Sequence, residues 1–159
     1  MARRTLLKAQ DRQALFDIPA DEDSLIRHYS LSPADRLEIE LRRRKHNQLG
    51  FAVQLCLMRY PGRALLPNEI PPSAMLNYVA EQIDADPRLF AFYARREETR
   101  RDHTAHLLRY LEIRSPTGMD RRAALRAGIE AASTTDQGAT IAKAIIATYR
   151  ERRALLPVA

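Results

Sequence analysis

The sequence predicts an all-α protein: eight or nine short helices in an orthogonal bundle that contains a helix-turn-helix-like unit. Three observations predict it. Nearly every segment repeats its apolar residues at helical spacing, and no run alternates as a half-buried strand does. Five glycines in 159 residues are too few for the tight turns of a sandwich or barrel. Helix punctuation recurs instead, as Ser32-Pro33, Pro61-Gly62 and Asp86-Pro87.

Residues 5–16 form a short amphipathic helix with Leu6, Leu7, Ala14 and Leu15 as its apolar positions, ended by Ile18-Pro19. Asp21 or Asp23 caps a second helix to about residue 28, turning Leu25 and Ile26 inward. Ser32-Pro33 starts the third, with a capping hydroxyl before a proline at the first helical position. That helix runs into Arg42-Arg43-Arg44-Lys45. After a break near His46-Asn47 comes the most apolar helix, residues 49–60, with one stripe at Leu49, Ala52, Val53 and Cys56 and another at Phe51, Leu55 and Met58. A helix apolar on two sides belongs at the centre of a domain.

A proline-rich loop over residues 65–72 precedes a helix over 73–83, and Asp86-Pro87 opens another to about Tyr93. Residues 95–113 make a longer helix with Thr104, Leu107, Leu108 and Leu111 inward. Two helices close the chain. Residues 120–132 pack through Ala124, Leu125, Ile129 and Ala132, and residues 137–153 through Ile141, Ala144, Ile145 and Tyr149. The Ser/Pro/Gly stretch at 114–120 is the best internal boundary. It divides a helical domain, residues 1–114 with the helix-turn-helix-like unit at 86–113, from residues 115–159, a helical hairpin packed on it or the start of a following domain. The apolar ending over 154–159 reads as a chain truncated at 159.

Composition excludes several classes. The single cysteine, Cys56, rules out an internal disulfide framework and a multi-cysteine zinc site. The longest apolar run, residues 51–58, is broken by Gln54 and falls short of the roughly 20 residues a bilayer requires. The N-terminus has charge but no sustained apolar segment, so no signal peptide is expected. These features point to a cytoplasmic protein with no membrane partner. Lys+Arg number 26 against 20 Asp+Glu, a net charge of +6, and the basic residues are 23 Arg to 3 Lys. Codon usage accounts for part of that skew. The rest fits a protein that grips planar acceptors such as phosphates and guanine edges.

Catalytic candidates are few. His103 and His106 share a helix at i, i+3, but no third metal ligand is placed, so both are expected to face solvent or DNA. Cys56 falls in the most apolar helix, where a thiol is an inert small hydrophobe. No phosphate loop, nucleophile elbow, zinc motif or nucleotide fingerprint occurs. No catalytic, metal or cofactor-binding residue is expected.

Three basic clusters are more informative: Arg42, Arg43, Arg44 and Lys45; then Arg95, Arg96, Arg100 and Arg101 with Thr99 and His103; then Arg121 and Arg122 with Arg126. The second occupies the first two turns of a helix that follows a shorter one after a tight connection at Ala94. Such a pair resembles a helix-turn-helix, whose second helix reads the major groove with its N-terminal residues. The bland alternative for each cluster is a solvated helix face laced with ion pairs.

Several stretches resemble one family. Met-Ala-Arg-Arg-Thr-Leu-Leu7, Asp23-Ser-Leu-Ile-Arg-His-Tyr29, Asn47-Gln-Leu-Gly-Phe-Ala-Val-Gln-Leu-Cys56, Arg59-Tyr-Pro-Gly62 and Tyr93-Ala-Arg-Arg-Glu-Glu-Thr-Arg-Arg-Asp-His103 are similar to the N-terminal region of Tn-three family transposases, the replicative enzymes of class II unit transposons. The similarity continues to Ala154-Leu-Leu-Pro157, and departs where Asp102 stands for a frequent glutamate. It implies a piece of a much longer enzyme, whose magnesium-dependent DDE catalytic domain lies towards the C-terminus and is absent here. It also implies that this region binds the transposon's terminal inverted repeats. Of the family-motif positions, Gly50 is read as a close-packing site, Phe51 and Leu55 as core, and Asn47 as a helix N-cap.

The expected function is therefore sequence-specific binding of double-stranded DNA at transposon ends, with the rest of the transposase as partner. Arg95, Arg96, Thr99, Arg100 and His103 are the expected base and backbone contacts, and Arg44, Lys45 and Arg114 the phosphate clamps. Two alternatives remain open: a helical module for dimerisation or assembly of the transposition complex, and a truncated transposase acting as a repressor.

Overall fold

A computed structural model of the protein describes residues 7–93 and 95–157. Among them are eight α-helices and one 3-10 helix, with no strand, so the class is all-α. The chain divides into two compact units. One spans residues 18–111; the other joins the described residues up to Asp17 to those from Glu112 onward.

The first unit holds α2 (Glu22–Tyr29), α3 (Pro33–Glu40), α4 (Lys45–Arg59), α5 (Ser73–Gln82), the 3-10 helix Pro87–Phe92 and α6 (Glu97–Tyr110). Helix α4 touches every other one of these elements. Its residues 49–58 are buried without interruption, as expected of a helix apolar on both sides. Burial pushes the Cys56 thiol up to about 12, which keeps it protonated and inert. Gly62, at φ 104°, closes the helix end by donating its N–H to the Leu57 carbonyl at 2.9 Å.

Helix α3 begins as the sequence predicts, and its cap does more than start it. The Ser32 hydroxyl accepts the Asp35 N–H at 3.1 Å, while the Asp35 carboxylate accepts the Ser32 N–H at 2.9 Å. Asp35 is fully buried, and its carboxylate also accepts both Arg59 terminal nitrogens, at 2.5 and 2.7 Å, and the Tyr110 hydroxyl at 2.8 Å. One carboxylate thus ties α3 to α4 and α6. Burial alone would raise its pKa, but the Arg59, Ser32 and Tyr110 bonds outweigh that and hold it at about 2.

The second unit contains α1 (Ala9–Phe16), α7 (Gly118–Thr134) and α8 (Gly138–Glu151). The expected start of α1 at residue 5, with Leu6, lies outside the described residues, as do Ala94 and the last two residues. The expected packing face of α7 holds at Ala124 and is corrected at Leu125 and Ile129. Ala124 and Gly128 are buried, whereas Leu125 and Ile129 are each 63% exposed. A Cβ at Gly128 would stand 3.0 Å from the Ile145 side chain, so α7 and α8 approach too closely for large residues between them. On α8 the buried positions are Ala142, Ile146 and Tyr149, with Ile141, Ala144 and Ile145 at the flank.

The apolar residues 154–156 are all buried, and Ala154 and Leu156 join Ala124, Ile146 and Tyr149 in one cluster against which Leu15 packs. An isolated parallel bridge holds them, with Arg114 donating to the Arg153 carbonyl at 2.9 Å and Leu155 donating to that of Arg114 at 3.0 Å.

Candidate nucleic-acid interface

Helix α4 starts at Lys45, not after Asn47, because the chain turns at residues 41–43 and Arg44 is extended (φ −114°, ψ 140°). Arg44 is therefore the N-cap, and its side chain makes no capping bond. The expected N-cap, Asn47, sits inside the first turn. Helix α6 has the same construction, with extended Arg96 as an N-cap that makes no side-chain capping bond. The segment before it, expected as an α-helix, is a six-residue 3-10 helix. Pro87 at its first position and a cap at Asp86, whose carboxylate accepts the Arg88 N–H, fit so short an element.

These two helix starts border one open cleft of about 480 Å³. Arg44, His46 and Asn47 line it from the start of α4; Phe92, Arg95, Arg96 and Thr99 line it from the 3-10 helix and α6. No acidic residue lines it. Among the described residues, none of Arg44, Arg95 and Arg96 has a carboxylate within ion-pair distance. The α4 N-terminus adds uncapped backbone N–H groups and no first-turn acid, so its dipole reinforces the positive charge. At α6, Glu97 and Glu98 offset that effect.

The other sequence-selected residues are placed differently. Arg42 stacks over the Phe51 ring at 4.6 Å, with its Nε buried and unpartnered. Arg43 is exposed, and Lys45 donates its Nζ to the Ile83 carbonyl at 2.8 Å. Arg100 is half-buried and donates to the Leu65 carbonyl at 3.0 Å. Arg101 pairs with Glu97 one turn back, at 2.8 Å.

His103, expected on the surface, is buried. Its Nδ1 lies 2.8 Å from the Tyr93 hydroxyl, whose oxygen accepts the Gln54 amide N–H at 2.6 Å; the Thr104 hydroxyl donates to the Gln54 carbonyl oxygen at 3.2 Å. Burial, then the Arg42 charge, lowers its pKa to about 4, so the imidazole is neutral and accepts the Tyr93 proton. The helical register explains the change: His103 and Leu107 share the face of α6 turned to the core. His106 instead meets Glu38 at 2.7 Å.

Arg114, expected as a phosphate clamp, forks onto the buried Asp120 carboxylate at 2.6 and 2.7 Å. Asp120 also accepts from Arg152 Nε at 2.6 Å and from the Thr117 N–H and hydroxyl at 2.7 and 2.9 Å. The Arg114 bonds, with those from Thr117 and Arg152, hold the Asp120 carboxyl far below the usual range. Thr117 three residues before Asp120 is a capping-box spacing, the signal that foretells this knot. Arg121, Arg122 and Arg126 are exposed on α7.

Among the described residues, no group of three or more His, Cys, Asp or Glu could hold a metal ion, and no helix is long and apolar enough to cross a membrane. Residues 6–159 match the family model described as domain of unknown function DUF4158. The chain is 40% identical to the transposase for transposon Tn501 of Pseudomonas aeruginosa, over 158 residues. It is 38% identical to the transposase for transposon Tn21 and 37% to that for Tn3926, both of Escherichia coli and each over 157 residues. Each match covers 99% of this chain but 16% of the relative, at its N-terminal end. The chain belongs to the DUF4158 family, here the N-terminal region shared with Tn-three family transposases.

Proposed function

We infer that this chain is the DNA-recognition part of a transposase and binds the terminal inverted repeats of a transposon. Bond cutting and its magnesium then belong to the rest of the enzyme. The observation that carries the reading is the cleft: Arg44, Arg95 and Arg96 converge there with no acidic residue in its lining. Concave positive charge without internal compensation attracts a polyanion and raises its local concentration. Arg44, Arg96 and Thr99 suit phosphate oxygens, which fix register on a duplex without reading sequence. Transposase relatives matched over nearly the full chain supply the biological context.

A gel-shift titration with the element's terminal repeat and a scrambled duplex tests this. The repeat should bind more tightly, and both affinities should fall as salt rises. Equal affinity for both duplexes would defeat the sequence-specific reading. A second reading, assembly with another protein or a second copy, is favoured by Met119, Leu125 and Ile129, all exposed on α7. Sedimentation with a charge introduced at Leu125 tests it: a lost assembly supports it, and an unchanged monomer excludes it.

A further inference from the structure

Two arginines in residues 18–111 stack on phenylalanine rings, each with its guanidinium carbon 4.6 Å from the ring centroid. The equal distances conceal opposite roles. Arg42 over Phe51 is packed into the protein and its Nε is closed off from solvent and from any partner. It is part of the core's edge. Arg95 over Phe92 is exposed, and its ring partner is 47% exposed at the wall of the cleft. Among the described residues the exposed Arg95 guanidinium makes no hydrogen bond or ion pair, so its N–H donors are available to a ligand.

Stacking holds the guanidinium plane against one surface while leaving its edges open. An arginine fixed in this way loses less side-chain freedom when a ligand docks than one waving in water. Its forked edge matches two acceptors side by side, which a phosphate offers without sequence preference and a guanine offers at O6 and N7. Arg44 and Arg96 already supply cations to the same cleft for phosphate, and neither is stacked on an aromatic ring among the described residues.

We propose that Arg95, held over the Phe92 ring, is a specificity-determining residue that reads a guanine in the DNA, while Arg44 and Arg96 hold the backbone beside it. This rests on the DNA-binding reading above and adds one base to it. Phe92 is the positioning residue.

The test is selection from a randomised duplex library by the wild-type chain, R95K and F92A. Wild type should enrich at least one guanine position. R95K keeps the charge but not the fork, so enrichment should fall about tenfold at one guanine while other positions and the salt slope are unchanged. F92A should lose part of that preference. Replacing the guanine by 7-deazaguanine, which removes N7, should weaken wild type about tenfold and weaken R95K less, since the ammonium lacks the fork that spans N7 and O6. Identical preferences in wild type and R95K overturn the proposal, even with DNA binding intact. An unchanged F92A overturns the role of the stack. A wild-type chain that binds duplex without base preference also overturns it while leaving backbone binding standing, whereas one that binds no duplex removes both readings.

Discussion

The Tyr93 ring lies so close to Gly50 that a Cβ there would stand 2.0 Å from its nearest atoms. The aromatic ring rests on the bare backbone of α4, and its hydroxyl is fixed by Gln54 and His103. This contact anchors the chain two residues before Arg95 and so sets one wall of the cleft. Gly50→Ala should gain up to about 1 kcal/mol in helix propensity yet lose more to overpacking, for a net cost of about 1–2 kcal/mol. Denaturant unfolding measures it; an unchanged or raised midpoint would show that Tyr93 can move aside.

Asp35 and Arg59 give a larger effect. Arg59→Met leaves a buried carboxylate without its cation and should cost about 3 kcal/mol, while Tyr110→Phe, which removes one bond to that carboxylate, should cost about 1–2 kcal/mol. Equal losses in the two variants would mean that the ion pair contributes no more than the hydroxyl.

His103 and the buried carboxylates Asp35 and Asp120 divide the acid limb of stability. The folded-state pKa of His103, about 4, lies below the ordinary histidine value of 6.5, so the unfolded chain binds the proton first. Its contribution is complete above pH 6.5 and is lost as the pH falls towards 4. Asp35, held at about 2, contributes fully above about pH 4 and loses its share as the pH falls through 2. Melting temperature against pH should therefore decline in two stages. His103→Asn should flatten the first stage and leave the second; an unchanged slope between pH 6.5 and 4 would contradict the buried neutral imidazole.

Arg114 and Arg96 separate structure from binding. Arg114→Ala removes the bidentate partner of Asp120 and should lower the melting temperature by a few degrees, leaving the salt dependence of DNA binding as it was. Arg96→Ala should do the reverse. A drop in salt slope for Arg114→Ala would mean that its guanidinium leaves Asp120 for phosphate.

Local signals were the legible ones. Ser32-Pro33 sets its helix start within four residues, and α4 is apolar on two sides, so no tertiary knowledge is needed to centre it. Gly50 is recognisable as a close-packing position, although its partner Tyr93 stands 43 positions on and is not. On α7 the sequence points correctly to Ala124 but wrongly to Leu125 and Ile129, because periodicity rewards large residues while the contact with α8 selects Gly128 for being small. The Asp35 network joins residues separated by 24 and 75 positions, which no local pattern records. The same holds for the arginines. Their clustering is visible in the chain, but whether each is free depends on where carboxylates, carbonyls and rings fall in space.

The central claim is that the cleft holds DNA through uncompensated arginines. The most direct measurement is the slope of log affinity against log salt for the terminal-repeat duplex, with the wild-type chain and the R44A/R96A double variant, after circular dichroism shows both equally folded. Loss of two phosphate contacts should reduce the slope by about two. Equal slopes and equal affinities would contradict the account, because the cleft would then carry its charge without touching the DNA.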